Sequence, residues 1–89
     1  MHDMTRQKLE DLIGALVAID SELSERELLG EVRYARRQLE RLELYAVADY
    51  RLSGASWQNV ADQLVMTRQG AHQKFGPRGV DDLPYDLLA

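Results

Sequence analysis

The chain has 89 residues, a formal net charge of −4 at pH 7 and no cysteine. This length fits a single domain, and the lack of cysteine excludes disulfide bonds and thiolate metal sites. No unbroken apolar run is longer than that of residues 15–19, which is far too short to cross a membrane. We therefore expect a small cytoplasmic protein with no membrane segment.

The charge is distributed unevenly. Residues 1–50 hold seven basic and eleven acidic groups, residues 51–80 hold four basic and one acidic, and residues 81–89 hold three acidic groups. A local basic excess bears more directly on polyanion binding than the total charge does. The middle segment is therefore the candidate for nucleic-acid binding, while the overall acidity argues against a non-specific coat.

Residues 5–19 are predicted to form the first helix, because apolar residues recur there at steps of three or four. The stripe consists of Leu9, Leu12, Leu16, Ile19 and Leu23, widened by Ile13 and Val17. Ser24 and Glu27 have the spacing of a capping box, in which each side chain accepts a hydrogen bond from the other residue's backbone. A second helix is therefore predicted to begin at Glu25.

The second helix is predicted to cover residues 25–52, with Gly54 ending it. Its apolar residues alternate at steps of four and three, as in a coiled-coil seam. The seam is Leu28, Val32, Ala35, Leu39, Leu42 and Ala46, and a second stripe of Tyr45, Ala48 and Leu52 begins near the helix end. Folded back as a hairpin, the shorter first helix covers only the N-terminal half of the second. We expect some apolar surface to remain for another chain.

Two glycines, Gly14 and Gly30, would lie at one level of this hairpin. They are either a close-contact pair or two tolerated helix glycines. The second alternative is favoured, because both point away from the seam.

The segment SGASWQNVADQLVMTRQGAHQKFGP, residues 53–77, predicts a helix-turn-helix. Ser56 can cap a helix over residues 57–64, and Thr67 can cap another over residues 68–75. Because the connection is so short, the two helices must cross steeply. The predicted inner face consists of Trp57, Val60, Ala61, Leu64, Met66, Ala71 and Phe75.

The outward face of the last helix concentrates hydrogen-bond donors that suit DNA. Arginine pairs with guanine and glutamine with adenine through two hydrogen bonds each, and helix starts suit phosphates. The predicted DNA-binding residues are Ser56, Thr67, Arg68, Gln69, His72, Gln73, Lys74 and Arg78. Of these, Arg68, Gln69, His72 and Gln73 are expected at the bases, and Lys74 and Arg78 at the flanking backbone.

The stretch SWQNVADQLVMTRQGAHQKFG resembles the helix-turn-helix segments of actinobacterial and phage DNA-binding proteins. This resemblance covers about a quarter of the chain. It implies that the four base-facing residues belong to a recognition helix and that Trp57 belongs to the core. In two places the chain departs from the pattern: Val65 replaces the usual turn glycine, and Gly70 replaces the usual first alanine of the second helix. A valine is unfavourable in the turn if that position needs a positive φ.

No catalytic or metal-binding pattern is present in the sequence. No nucleophile lies beside a histidine and a carboxylate, and neither a glycine-rich phosphate loop nor a His-Glu-x-x-His motif occurs. His72 has no second ligand at metal-binding spacing, so a DNA-facing donor is the favoured interpretation. We expect no enzymatic activity, no metal and no cofactor.

The long predicted helix also holds a cluster of arginines interleaved with glutamates. Ion pairs on a solvated helix face are the favoured interpretation, with phosphate binding as the alternative. The arginines are Arg33, Arg36, Arg37 and Arg41, and the glutamates are Glu31, Glu40 and Glu43.

Together these patterns predict an all-α fold of about four helices: a helical hairpin whose long second helix leads into a helix-turn-helix. We expect a single domain, with residues 1–53 as hairpin and dimerisation region, residues 54–78 as helix-turn-helix and residues 79–89 as acidic tail. The expected function is sequence-specific binding of double-stranded DNA, as a homodimeric, repressor-like transcriptional regulator associated with the nucleoid. The alternative is an adaptor that uses the hairpin or the acidic tail to engage a protein, such as transcription machinery.

Overall fold

The structure, a computed structural model, describes residues 1–76, and these residues contain four helices and no strand. The helices are α1 (Asp3–Ile19), α2 (Glu25–Leu52), α3 (Trp57–Leu64) and α4 (Arg68–Phe75). The predicted all-α class with about four helices is confirmed. None of the described helices has both the length and the apolar character that crossing a membrane requires. Arg78 and the predicted acidic tail lie outside the described residues.

Local capping sets the ends of the first two helices. The Glu27 N–H donates to Ser24 Oγ at 3.2 Å and the Ser24 N–H donates to Glu27 Oε1 at 3.4 Å, which confirms the predicted capping box. Gly54, with φ 104°, follows the end of α2 as predicted. α1 begins at Asp3, slightly earlier than predicted, because His2 Nδ1 accepts a hydrogen bond from the Met4 N–H at 3.1 Å.

The chain divides into two compact units, and the division falls inside α2, between Glu43 and Leu44. The first unit contains α1 and the N-terminal part of α2. The second begins with the last part of α2 and includes α3 and α4. The predicted single-domain organisation and its segment boundaries stay predictions.

In the first unit, the most deeply buried residues are Thr5, Ala15 and Ala35. The predicted apolar stripes are therefore only partly covered within this unit. Leu16 and Leu39, which both belong to those stripes, are 51% and 53% exposed. The side chains buried most deeply in this unit are thus small, whereas larger apolar side chains stay in contact with solvent. The exposed large apolar side chains in this unit are Met1, Ile13, Leu16, Val17, Leu28, Leu29, Val32, Tyr34 and Leu39.

The two helix glycines show no close contact. A Cβ built at Gly14 or at Gly30 would meet no other side chain or chain segment within 4 Å. The close-contact alternative is therefore wrong, and both residues are tolerated glycines in helix interiors.

The second unit has a compact apolar core that α2, α3 and α4 share. Ala61 and Ala71 are both 0% exposed, as a tight crossing of α3 and α4 requires. The buried cluster is Val47, Val60, Ala61, Ala71 and Phe75, with Leu44, Trp57, Leu64 and Met66 packed against it. This confirms the predicted inner face of the helix-turn-helix and adds Leu44 and Val47 from α2.

The predicted seam of α2 fails at its C-terminal end. Ala46 is exposed, whereas Tyr45, Val47 and Ala48 are buried. Neighbouring helix positions differ by about 100° in direction, so a face that holds Val47 and Ala48 turns Ala46 outward. Leu52, expected in the second stripe, is exposed as well.

Candidate nucleic-acid interface

The turn between α3 and α4 is built around a valine in the left-handed region. Val65 ends α3 with φ 55° and ψ 51°, and the following Met66 N–H donates to the Ala61 carbonyl at 3.0 Å. This conformation is rare for a β-branched residue and easy for glycine. The position therefore needs the positive φ that the usual glycine would supply, and the Val65 side chain is 92% exposed there.

Side-chain caps begin both helices of this motif, as predicted. Ser56 Oγ accepts from the Asn59 N–H at 3.1 Å, and Asn59 Oδ1 accepts in return from the Ser56 N–H at 2.9 Å. At the start of α4, Thr67 Oγ1 accepts from the Gly70 N–H at 3.0 Å. Each hydroxyl keeps its own proton available for donation, so the predicted DNA contacts of Ser56 and Thr67 are compatible with capping.

The outer face of α4 is polar and exposed, while its inner face is buried. Ala71 and Phe75 are 0% and 3% exposed and hold α4 on the core. Positions spaced by three and four residues are neighbours on the helix surface, so His72 lies beside Arg68 and Gln69, and Gln73 lies beside Gln69. All four predicted base-facing residues are exposed.

Three of these side chains have no hydrogen bond or ion pair within residues 1–76: Arg68, Gln69 and Gln73. Their donors are therefore available to an external acceptor. His72 differs, because its ring meets that of Trp57 at a centroid distance of 5.3 Å and an interplanar angle of 87°. The assignment of all four residues to base contacts stays a prediction.

A shallow groove of about 390 Å³ runs beside this face, lined by Trp57, Arg68, Gln69 and His72. Three of the predicted base-facing residues thus share one surface feature, and Gln73 lies outside it. Trp57 packs against the core, as predicted, but it is only half-buried, and its remaining surface forms a wall of the groove.

Arg51, from the last turn of α2, also contacts Trp57, and no sequence pattern indicates this contact. Its Cζ atom lies 4.6 Å from the centroid of the Trp57 ring, and its Nη1 donates to the Ala55 carbonyl at 2.8 Å. The available signal was an arginine at a predicted helix end, shortly before the tryptophan. Such proximity in sequence indicates a contact only once the path of the intervening turn is known.

Lys74, which is predicted to contact the DNA backbone, lies near the end of α4. Its Nζ atom is 5.2 Å from the centroid of the Phe75 ring. From Leu44 to Gly76 the basic residues are Arg51, Arg68 and Lys74, against the acidic Asp49 and Asp62. The described part of the second unit therefore keeps a small basic excess within an acidic chain.

The arginine cluster of α2 behaves largely as a solvated helix face. Arg36 Nε lies 3.7 Å from Glu40 Oε1, and both side chains are exposed, which confirms the expected ion pairing at this position. Such exposed pairs contribute little to stability. Within residues 1–76, no group of three histidine, aspartate or glutamate side chains could hold a metal ion.

Comparisons with protein-family models, with curated proteins and with solved structures find no match for this chain. The geometry of the second unit is therefore what bears on function.

Proposed function

We propose that the chain binds double-stranded DNA sequence-specifically through α4, as a small repressor-like transcriptional regulator. One observation carries this proposal. α4 is anchored by Ala71 and Phe75, and it exposes Arg68 and Gln69, whose side chains have no hydrogen-bond partner among the described residues. A short helix held in this way can enter the major groove as a recognition helix.

The residue types on this face match the chemistry of base edges. Arg68 can donate two hydrogen bonds to guanine O6 and N7, and Gln69 can pair with adenine through N6 and N7. Each such pair discriminates against a wrong base by about 1–3 kcal/mol. His72 and Gln73, one turn further along α4, extend the same face toward neighbouring base pairs.

Phosphate contacts would fix the register of α4 on the duplex. The first backbone N–H groups of a helix have no intrahelical acceptor and favour anions, which suits the start of α4 beside Thr67. Lys74 adds a cation near the other end of the helix. Contacts of this kind position a protein on DNA but carry no sequence information.

The exposed apolar side chains of the first unit support a homodimer. Leu16 and Leu39 are both more than half exposed. Paired helix-turn-helix modules read two half-sites about 34–36 Å apart, and a two-fold symmetric pair is the usual arrangement. We expect Leu39→Glu to give a folded monomer in sedimentation equilibrium, and a monomeric native chain would contradict pairing. We also expect the protein to be cytoplasmic and associated with the nucleoid.

The same exposed apolar surface favours a second candidate function, a protein-interaction adaptor. In that case the first unit would dock a partner protein through side chains such as Leu16 and Leu29, and α4 would not enter a DNA groove. The two functions can be distinguished by DNA binding, which only the first of them requires.

Selection from a random duplex pool, followed by mobility shifts at several salt concentrations, tests the proposal. We expect a shared sequence motif and an affinity that falls steeply as salt rises, because phosphate contacts release counterions. Absence of any shift at low salt would contradict DNA binding and favour the adaptor. Equal shifts on all sequences would contradict sequence-specific reading.

A further inference from the structure

We propose that Arg51 binds a DNA backbone phosphate beside the bases that α4 contacts, with Trp57 holding its guanidinium in place. This proposal rests on the proposed DNA binding. It adds a contact from the end of α2, outside the predicted helix-turn-helix segment.

The guanidinium of Arg51 is held by two contacts. It lies over the Trp57 ring at 4.6 Å, and one of its N–H groups donates to the Ala55 carbonyl at 2.8 Å. Arginine has five N–H donors in a planar fork, so several remain available for an anion. No carboxylate of residues 1–76 forms an ion pair with it. Arg51 is therefore an oriented cation whose charge is not neutralised within the described residues.

Its position links it to the proposed base-contacting face. The Trp57 ring contacts both the Arg51 guanidinium and the His72 ring. The guanidinium and the His72 ring are therefore no more than about 10 Å apart. Trp57 also lines the groove with Arg68, so a duplex that contacts Arg68 through its bases would bring a strand past this side of α4.

A phosphate is the ligand that fits these properties. A guanidinium matches the geometry of phosphate oxygens and forms short, charge-assisted hydrogen bonds with them. Because the side chain is already ordered by its two contacts, binding would cost less conformational entropy than it would for a free arginine. A base contact is less suitable, since Arg51 lies on α2 and not on the helix that would enter the groove.

The alternative is that Arg51 serves only to cover Trp57, because a cation–π contact by itself stabilises a fold by about 0.5–1 kcal/mol at an exposed site. Salt dependence separates the two roles. The logarithm of the binding constant falls with the logarithm of salt concentration by about 0.9 for each phosphate contact, so one lost contact reduces that slope by about 0.9. A purely structural arginine would leave the slope unchanged in a folded variant.

The experiment uses the full chain and a 30-base-pair duplex selected by the native protein. Arg51→Gln removes the charge, Arg51→Lys keeps it, and Arg51→Met keeps an apolar contact with Trp57 if the glutamine variant does not fold. Arg37→Gln is the matched control, since it removes an exposed arginine of the first unit. Thermal melts verify the folding of each variant before binding is measured.

We expect Arg51→Gln or Arg51→Met to weaken binding about tenfold on all sequences and to flatten the salt slope by about 0.9. We expect Arg51→Lys and Arg37→Gln to keep the native slope. A native slope in the folded Gln or Met variant would overturn the phosphate contact. If the native chain bound no duplex at all, the proposed function itself would fail, which is a distinct result.

Neutral methylphosphonate substitutions in the same duplex locate the contact. Replacing the phosphate that Arg51 binds should lower the affinity of the native protein for the duplex but should not lower the affinity of Arg51→Gln any further. If every substitution lowered the DNA affinity of both proteins equally, Arg51 would contact none of the phosphates and the inference would be wrong.

Discussion

The rings of Trp57 and His72 meet almost at right angles, at 87°, with their centroids 5.3 Å apart. This contact joins the first residue of α3 to the exposed face of α4. It places the chain's only tryptophan in contact with a predicted DNA-binding residue, so Trp57 fluorescence can report on both folding and binding.

We expect His72→Ala to lower the free energy of unfolding by about 0.5–1.5 kcal/mol, because perpendicular aromatic pairs stabilise by this amount beyond their buried area. Urea denaturation followed by Trp57 fluorescence measures the change. Gln73→Ala is the matched control, since Gln73 is also exposed on α4 and its side chain has no partner among residues 1–76. Equal effects of the two substitutions would contradict a stabilising ring contact.

We expect Arg68→Ala to weaken binding to the selected sequence by about 1–3 kcal/mol and to relax the preference at one base pair. Competition mobility shifts with duplexes altered at each position measure that preference. Lys74→Ala should instead flatten the salt dependence with little change in preference. An equal loss on all sequences for Arg68→Ala would assign Arg68 to phosphate contact.

We expect Val65→Gly to raise the free energy of unfolding by about 1 kcal/mol, because a left-handed conformation costs an L-residue about 1–2 kcal/mol and glycine almost none. Part of that gain is offset by the greater freedom of glycine in the unfolded chain. In a domain of this size, the melting temperature should rise by about 4–8 °C. Val65→Ala keeps the unfavourable backbone region, so a similar rise in that variant would show that φ is not the cause.

We expect alanine substitution to stabilise the fold at glycines where a Cβ has open space and to destabilise it where a Cβ would overlap the backbone. Gly14→Ala and Gly30→Ala should each raise the free energy of unfolding by up to about 1 kcal/mol, since a Cβ there meets nothing within 4 Å. Gly76→Ala should lower it by about 1–3 kcal/mol, since its Cβ would overlap the His72 carbonyl oxygen. Thermal melts of the three variants test this order, and a stabilised Gly76→Ala would contradict the described end of α4.

Much of the helix-turn-helix could be predicted because its signals are local. Ser56 and Thr67 accept hydrogen bonds from backbone groups three residues further along, and the capping box at Ser24 works in the same way. The inner face was also predictable. With only two residues between α3 and the cap of α4, few arrangements could bury Ala61, Ala71 and Phe75 together.

Other features could not be predicted, because they depend on distant parts of the chain. The periodicity of α2 places Leu39 and Ala46 on an apolar stripe, yet both are exposed. Periodicity identifies an apolar face but cannot show how much of that face a neighbouring element covers. Sequence alone also did not show that Trp57 is half-buried or that it contacts Arg51, because that contact depends on the path of the turn between α2 and α3.

The sequence by itself therefore determined where α2, α3 and α4 begin and end and which residues form the core of the turn motif, because capping and close helix crossing act over a few residues. Only the tertiary structure decided which apolar side chains of α1 and α2 stay exposed, that Val65 adopts a positive φ, and that Arg51, Trp57 and His72 form one connected group. Those outcomes depend on how the helices pack against one another and on the path of the turns that join them, and periodicity and capping signals specify neither.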